Sequence, residues 1–204
     1  MYDDQNVFGN YYDKYNSTNL VEKMIMNNFF RSLESFLRRL NPKNILEVGC
    51  GEGVMSNHLY EFYGSKVPIQ GVDVSAEIIK KAAAAYKEIT FSAQSVYNLD
   101  FEDNTFDLVV AFETLEHLEN PSKAIQEIRR VGNKNFIFSV PWEPVWRIMN
   151  IMRLKYIRSY GNSPGHIQHW TKRDFIDMIS EFIVPVKVKM PIPFIQVFSE
   201  GKTK

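Results

Sequence analysis

The stretch Glu47-Val48-Gly49-Cys50-Gly51-Glu52-Gly53 follows an apolar run and alternates glycine with other residues, with a carboxylate two positions ahead of the first glycine. Glycines at the end of a strand admit positive φ and let a ligand approach bare backbone. A helix starting there aims free N–H groups and a positive dipole end at whatever it meets. Such a turn suits a nucleotide, and two details narrow the choice. The dinucleotide pattern would need glycine where Val54 stands. Glu47, near the carboxyl end of the strand, would repel a pyrophosphate and favour a ligand carrying a cation. A second acid, Asp73, follows the run Val67–Val72, 20 residues after Gly53. At the end of a neighbouring strand it can accept hydrogen bonds from both hydroxyls of a ribose. A solvent-exposed cap beside Ser75 explains Asp73 equally well.

Histidine titrates near working pH, so the four histidines are the candidate acid–base groups. His117 stands just after a buried run, Phe106–Phe112, and either meets a substrate or packs in the loop before Asn120. His166 follows Pro164-Gly165 in an irregular segment and either meets a substrate or sits in a surface loop, and His169 shares that segment. His58 falls in mid-helix and is expected at the surface. The single cysteine, Cys50, has no base paired with it in sequence and reads as a small turn residue. One cysteine forms no intrachain disulfide and no cysteine-rich zinc site, and no metal-ligand set is read.

Strand and helix must alternate to position these groups. A helix is expected over residues 20–40, stopped by Asn41-Pro42. Strands follow at Asn44–Val48, Val67–Val72, Ile89–Phe91, Phe106–Phe112 and Phe136–Val140. Helices are expected from 53 to 63, from Ser75 as cap to Tyr86, and from Asn120-Pro121 to Val131. Thr171 and Asp174 form a capping box for a helix to Phe182. Val184–Phe198 gives two strands around Pro191-Ile192-Pro193. Alternation from 44 to 140 implies a mostly parallel sheet with right-handed crossovers. Residues 1–19 read as an arm or lid.

The length, 204 residues, suits one well-cored domain. The 24 basic and 24 acidic side chains cancel, so there is no global drive towards nucleic acid. The polar, acidic N-terminus is the reverse of a signal peptide, and no apolar run approaches the roughly 18 residues that span a bilayer. A cytoplasmic protein, monomeric or homodimeric, is expected.

The chain resembles the class I S-adenosylmethionine-dependent methyltransferases. The residues that carry the resemblance are Ile45–Gly53, Gly71-Val72-Asp73-Val74-Ser75, Leu99–Asp107, Phe112-Glu113-Thr114-Leu115-Glu116-His117-Leu118 and Phe138-Ser139-Val140-Pro141, in the family's order and spacing. It is especially similar to the subgroup with the ubiquinone and menaquinone methyltransferases. The resemblance implies a Rossmann-like α/β fold with a seven-stranded sheet in the order 3-2-1-4-5-7-6 and helices on both faces. It implies that Glu47, Gly49, Cys50, Gly51 and Gly53 frame the methionine half of S-adenosylmethionine, Asp73 holds the ribose and Val74 packs on the adenine. Ser95, with Val96 beside it, stands where the family often has an acid for the adenine amino group. Phe112 and Glu113 would face the methionine and the acceptor, a small molecule, with His117 and His166 as catalytic candidates.

The segment 142–170 holds all three tryptophans and one acid, Glu143. Placed after the fifth strand, it should cover the site and set acceptor choice. Val145, Ile148, Met149, Met152 and Tyr156 share a helical face. A lid packed over the pocket is preferred to an interfacial helix that leans on anionic lipid to reach a lipophilic acceptor. A non-catalytic S-adenosylmethionine-binding protein, or a nicotinamide-dependent oxidoreductase, is the alternative.

Overall fold

The alternation from residue 44 onward is realised as one seven-stranded sheet in the order β3-β2-β1-β4-β5-β7-β6. The structure, a computed structural model, describes residues 19–154, 156–163 and 165–200. The arm expected over residues 1–19 lies, apart from Asn19, outside the described residues. Strands β1 (Ile45–Val48), β2 (Ile69–Asp73), β3 (Thr90–Ala93), β4 (Phe106–Phe112) and β5 (Gly132–Pro141) run parallel. Strand β7 (Phe194–Glu200) lies antiparallel between β5 and β6 (Val184–Lys189). The helices are α1 (Leu20–Leu37), α2 (Val54–Tyr63), α3 (Ala76–Ala85), α4 (Pro121–Val131), α5 (Val145–Met152) and α6 (Lys172–Ser180).

The apolar run Leu108–Phe112 of β4 follows from burial on both faces. Val109 and Ala111 pack with Ile125 and Ile128 of α4 and Phe175 and Ile179 of α6. Leu108, Val110 and Phe112 pack on the other face with Phe29 and Leu33 of α1 and Met55 and Leu59 of α2. The expected caps form. Ser75 Oγ accepts from the Ile78 N–H, Asn120 accepts from Lys123 with Pro121 opening α4, and Thr171 and Asp174 make the reciprocal box on α6.

Four expectations are corrected. Helix α1 ends at Leu37 rather than at residue 40, because Arg39 and Leu40 turn to the tighter bonds to Phe36 O and Leu37 O ahead of Pro42. Strand β5 begins at Gly132, not Phe136; its polar first half pairs with β4 and so carries no apolar signal. Tyr156 does not share the face of α5, which ends at Met152, and Tyr156 itself has a left-handed backbone. His58 is not at the surface: its side chain is 21% exposed, and its ring lies 4.3 Å from that of Phe30 on α1.

Strand order reverses between β1 and β4, so the connections on either side leave in opposite directions and open a crevice at the carboxyl ends of the strands. The glycine turn after β1, the Asp73-Val74 end of β2 and Phe112-Glu113 at the end of β4 all fall on that edge.

Candidate active site

Alternation along β1 puts Glu47 on the same face as Ile45, towards α2. There Glu47 is 1% exposed, and Ser56 Oγ in the first turn of α2 donates to its Oε2. Burial pushes the Glu47 carboxyl up to about 8; the Ser56 bond opposes this and the charge of Asp73 adds to it. A cation placed beside this group would favour its ionised form. The turn that follows has φ values of 73°, 52° and 82° at Gly49, Gly51 and Gly53. The N–H groups of Gly49 and Cys50 both donate to Val72 O, at 2.8 and 2.9 Å, which locks the turn to the end of β2. A Cβ on Gly49 would come within 2.9 Å of Thr114 Cβ, and closer still to its Oγ1 and Cγ2, whereas Gly51 faces open space. Cys50 is buried, and burial together with Glu47 and Asp73 raises its thiol, so the thiol stays protonated as a turn residue should.

Asp73 is held by two backbone N–H groups. Its Oδ2 accepts from the Gly51 N–H and its Oδ1 from the Ser75 N–H, each at 3.0 Å. It therefore braces the glycine turn from the next strand and retains carboxylate lone pairs for a ligand. Asp73→Ala should then destabilise the chain by roughly 1–3 kcal/mol. Melting curves on the variant check this; an unchanged melting temperature would show that the brace is idle. Val74 beyond it is 62% exposed. Ser95 and Asn98 border a hollow with Ser92, Gln94 and Asp100, and Ser95 Oγ accepts from the Tyr97 N–H. Val96 is half-buried and packs on the core.

On the other side of the crevice, Phe112 is 5% exposed and its ring packs edge-on to Phe29, 6.2 Å between centroids. Glu113 has φ of 53°, and Ser139 Oγ at the end of β5 donates to its Oε1 at 3.0 Å. A short 3-10 turn, Leu115–His117, follows. The structure brings the two candidate histidines together there: the rings of His117 and His166 are 5.0 Å apart, and Trp146 stacks 6.1 Å from His166. His169 is directed elsewhere, its Nδ1 3.6 Å from the buried Glu143. Helix α5 turns polar groups inward. Asn150 is buried and donates to Gly161 O, Arg153 reaches Asn150 and Glu22, and Trp146 Nε1 donates to Ser163 Oγ. Ile148 and Met152, from the face expected to pack, are 52% and 77% exposed.

A model of the methyltransferase domain matches residues 41–147, more than half of the chain. The chain belongs to the methyltransferase domain family. It is 35% identical over 97 residues to norajmaline N-methyltransferase of Rauvolfia serpentina, a match that covers 45% of this chain and 32% of that protein. The chain thus spans about a third of the length of this relative. The fold is shared with a protein of Pyrococcus horikoshii at a TM-score of 0.71 and 18% identity, covering 91% and 93% of the two chains. It is also shared with magnesium protoporphyrin IX methyltransferase of Synechocystis with bound S-adenosylhomocysteine, at 0.66 and 16% identity, covering 91% and 89%. The sheet order and the glycine turn at the switch point fit that family. This sets aside the nicotinamide alternative.

Within this methyltransferase domain, sequence reasoning passed over Ser56, Thr114 and Glu116. Ser56 and Thr114 carry no local signal, because each matters only through a strand it meets in space, β1 in both cases. Glu116 was adjacent to a chosen histidine and could have been taken with it.

Proposed function

We propose that the chain moves the methyl group of S-adenosylmethionine to an oxygen of a small molecule seated beside His117 and His166. One observation carries the reading: a buried carboxyl, Glu47, and a turn-bracing carboxylate, Asp73, flank the same glycine turn at the topological switch point. In this reading Glu47 and the backbone of Gly49–Gly53 receive the methionine ammonium and sulfonium side, Asp73 the ribose, and Val74, Ser95 and Val96 the adenine. Phe112 and Glu113 close the side nearest the acceptor. Transfer is an in-line displacement: the acceptor oxygen forms its bond to the methyl carbon as the carbon–sulfur bond breaks, and the sulfonium leaves as a neutral thioether. The leaving group is already good, so alignment of the acceptor is the main task, and it can supply roughly 7–11 kcal/mol. The acceptor hydroxyl must also lose a proton, which the histidine side of the crevice would handle.

The segment 142–170 would act as the lid over the acceptor. Its docking through Trp146, Asn150 and Arg153 supports that role, and the exposed side chains of Ile148, Met152, Leu154 and Ile157 favour a lipophilic acceptor. No described helix is long and apolar enough to cross a membrane. Calorimetry tests the reading: S-adenosylhomocysteine should bind, NAD should bind far more weakly, and amide exchange in 142–170 should slow in the bound state. Tight NAD binding without affinity for the adenosyl ligand would overturn it.

A further inference from the structure

The end of β4 and the covering segment meet at Glu116, His117 and His166. Glu116 is buried, His166 half-buried and His117 exposed, and one ligand atom from each lies within 4.8 Å of the others. Backbone holds this meeting in place. The carbonyl of Glu116 accepts from the N–H groups of both Ile167 and Gln168, at 3.0 and 3.1 Å, and Gln168 Nε2 donates to Leu118 O. His166 is therefore carried to the short turn by two main-chain bonds to Glu116 O and one side-chain bond to Leu118 O. His117 is oriented as well. Its Nδ1 lies 2.9 Å from Gly165 O, and a carbonyl oxygen can only accept, so Nδ1 carries a proton and, in the neutral ring, Nε2 is the nitrogen that can ligate an ion. An imidazole whose second nitrogen is tied to a backbone carbonyl is the usual arrangement of a metal-binding histidine.

We propose that Glu116, His117 and His166 form a binding site for a divalent transition-metal ion of the zinc type. Two imidazoles and one carboxylate suit zinc and its neighbours, whereas magnesium and calcium prefer oxygen alone. Three protein ligands of this kind leave a coordination position for a further oxygen, as in catalytic zinc sites. Ligands about 2.1 Å from a tetrahedral ion lie roughly 3.4 Å apart, so the ion draws these side chains inward by about 1 Å. The segment that carries His166 would thereby be pinned to the end of β4. The ion's further role rests on the methyl-transfer reading: beside the crevice it would be a Lewis acid that acidifies a bound acceptor hydroxyl, whose proton passes to solvent water before the oxygen meets the methyl carbon, and the two imidazoles would then assist as ligands in place of direct proton transfer.

The test needs no acceptor. The full chain, stripped with a chelator, is titrated with ZnCl2 by calorimetry and with CoCl2 by visible absorption. One ion per chain is expected, with the ligand-field bands of nitrogen- and oxygen-bound cobalt. His166→Ala and His117→Ala should each cost more than the roughly 10–100-fold that loss of an outer-shell partner costs. S-adenosylhomocysteine binding and the melting temperature report on folding and on the donor site in the same variants. A measurement without substitutions stands beside them: Zn2+ should protect two histidines of the unaltered chain from diethyl pyrocarbonate. Absence of stoichiometric binding, binding indifferent to both substitutions, or no protection overturns the site. S-adenosylhomocysteine binding without metal binding would sink this inference alone, and the converse would sink the donor assignment alone.

Discussion

Gly49→Ala is expected to abolish measurable S-adenosylhomocysteine binding and to destabilise the chain by several kcal/mol. Gly49 has φ of 73°, a left-handed backbone that costs a residue with a Cβ roughly 1–2 kcal/mol. The new Cβ would also overlap Thr114, whose Oγ1 is bonded to Val48 O at 3.3 Å and is not at liberty to swing away. Forced overlap in a packed site costs about 1–3 kcal/mol more. Relief by moving the turn would break the bonds from Gly49 and Cys50 to Val72 O, and with them the register between the glycine turn and Asp73. Urea denaturation measures the stability and calorimetry the binding. Thr114→Ala in the same chain should recover part of the stability, since two of the three overlapping atoms disappear. A variant as stable as the parent that still binds the ligand would show that the turn has room the geometry denies it.

The second large effect concerns protons at Glu47. Its carboxyl, pushed up to about 8 by burial, is mostly protonated in the ligand-free chain at neutral pH. A cationic ligand pulls it towards the carboxylate, so donor binding at pH 7 should release a proton. Calorimetry in buffers of different ionisation enthalpy reads that release directly. Affinity should rise by up to about tenfold per pH unit between pH 6 and 8 and level off above, because binding then needs no deprotonation. Stability of the ligand-free chain runs the other way. The folded value lies above the ordinary 4.5, so the contribution of Glu47 is full below pH 4.5 and is lost as pH rises through about 8. Glu47→Gln should flatten both profiles and weaken binding by about 1.5–3 kcal/mol, the scale of a hydrogen bond to a charged group. If affinity for S-adenosylhomocysteine stays flat from pH 6 to 8 in the unaltered chain, Glu47 does not meet the ammonium.

The order of elements, the caps at Ser75, Asn120 and Thr171, and the glycine turn with its two acids were legible in the sequence. Each rests on local chemistry: apolar periodicity, side chains that cap their own helix, and glycine where φ turns positive. Other properties were decided by the tertiary structure, because they depend on groups distant along the chain. Asp73 is a brace because β2 lies beside β1, which brings Gly51 to its carboxylate across 22 residues. Glu47 holds its proton because α2 folds over it and removes water. Helix α5 buries Asn150 and exposes Met152, against its apolar pattern, because the carbonyl of Gly161 and the guanidinium of Arg153 meet that polar side chain. His117 and His166 face each other because main-chain groups of Ile167 and Gln168 find the carbonyl of Glu116, bonds that leave no mark on residue type. Periodicity and motif report what a segment does with its own neighbours; the contacts that join segments far apart in the chain are settled only when the sheet has set its strands side by side.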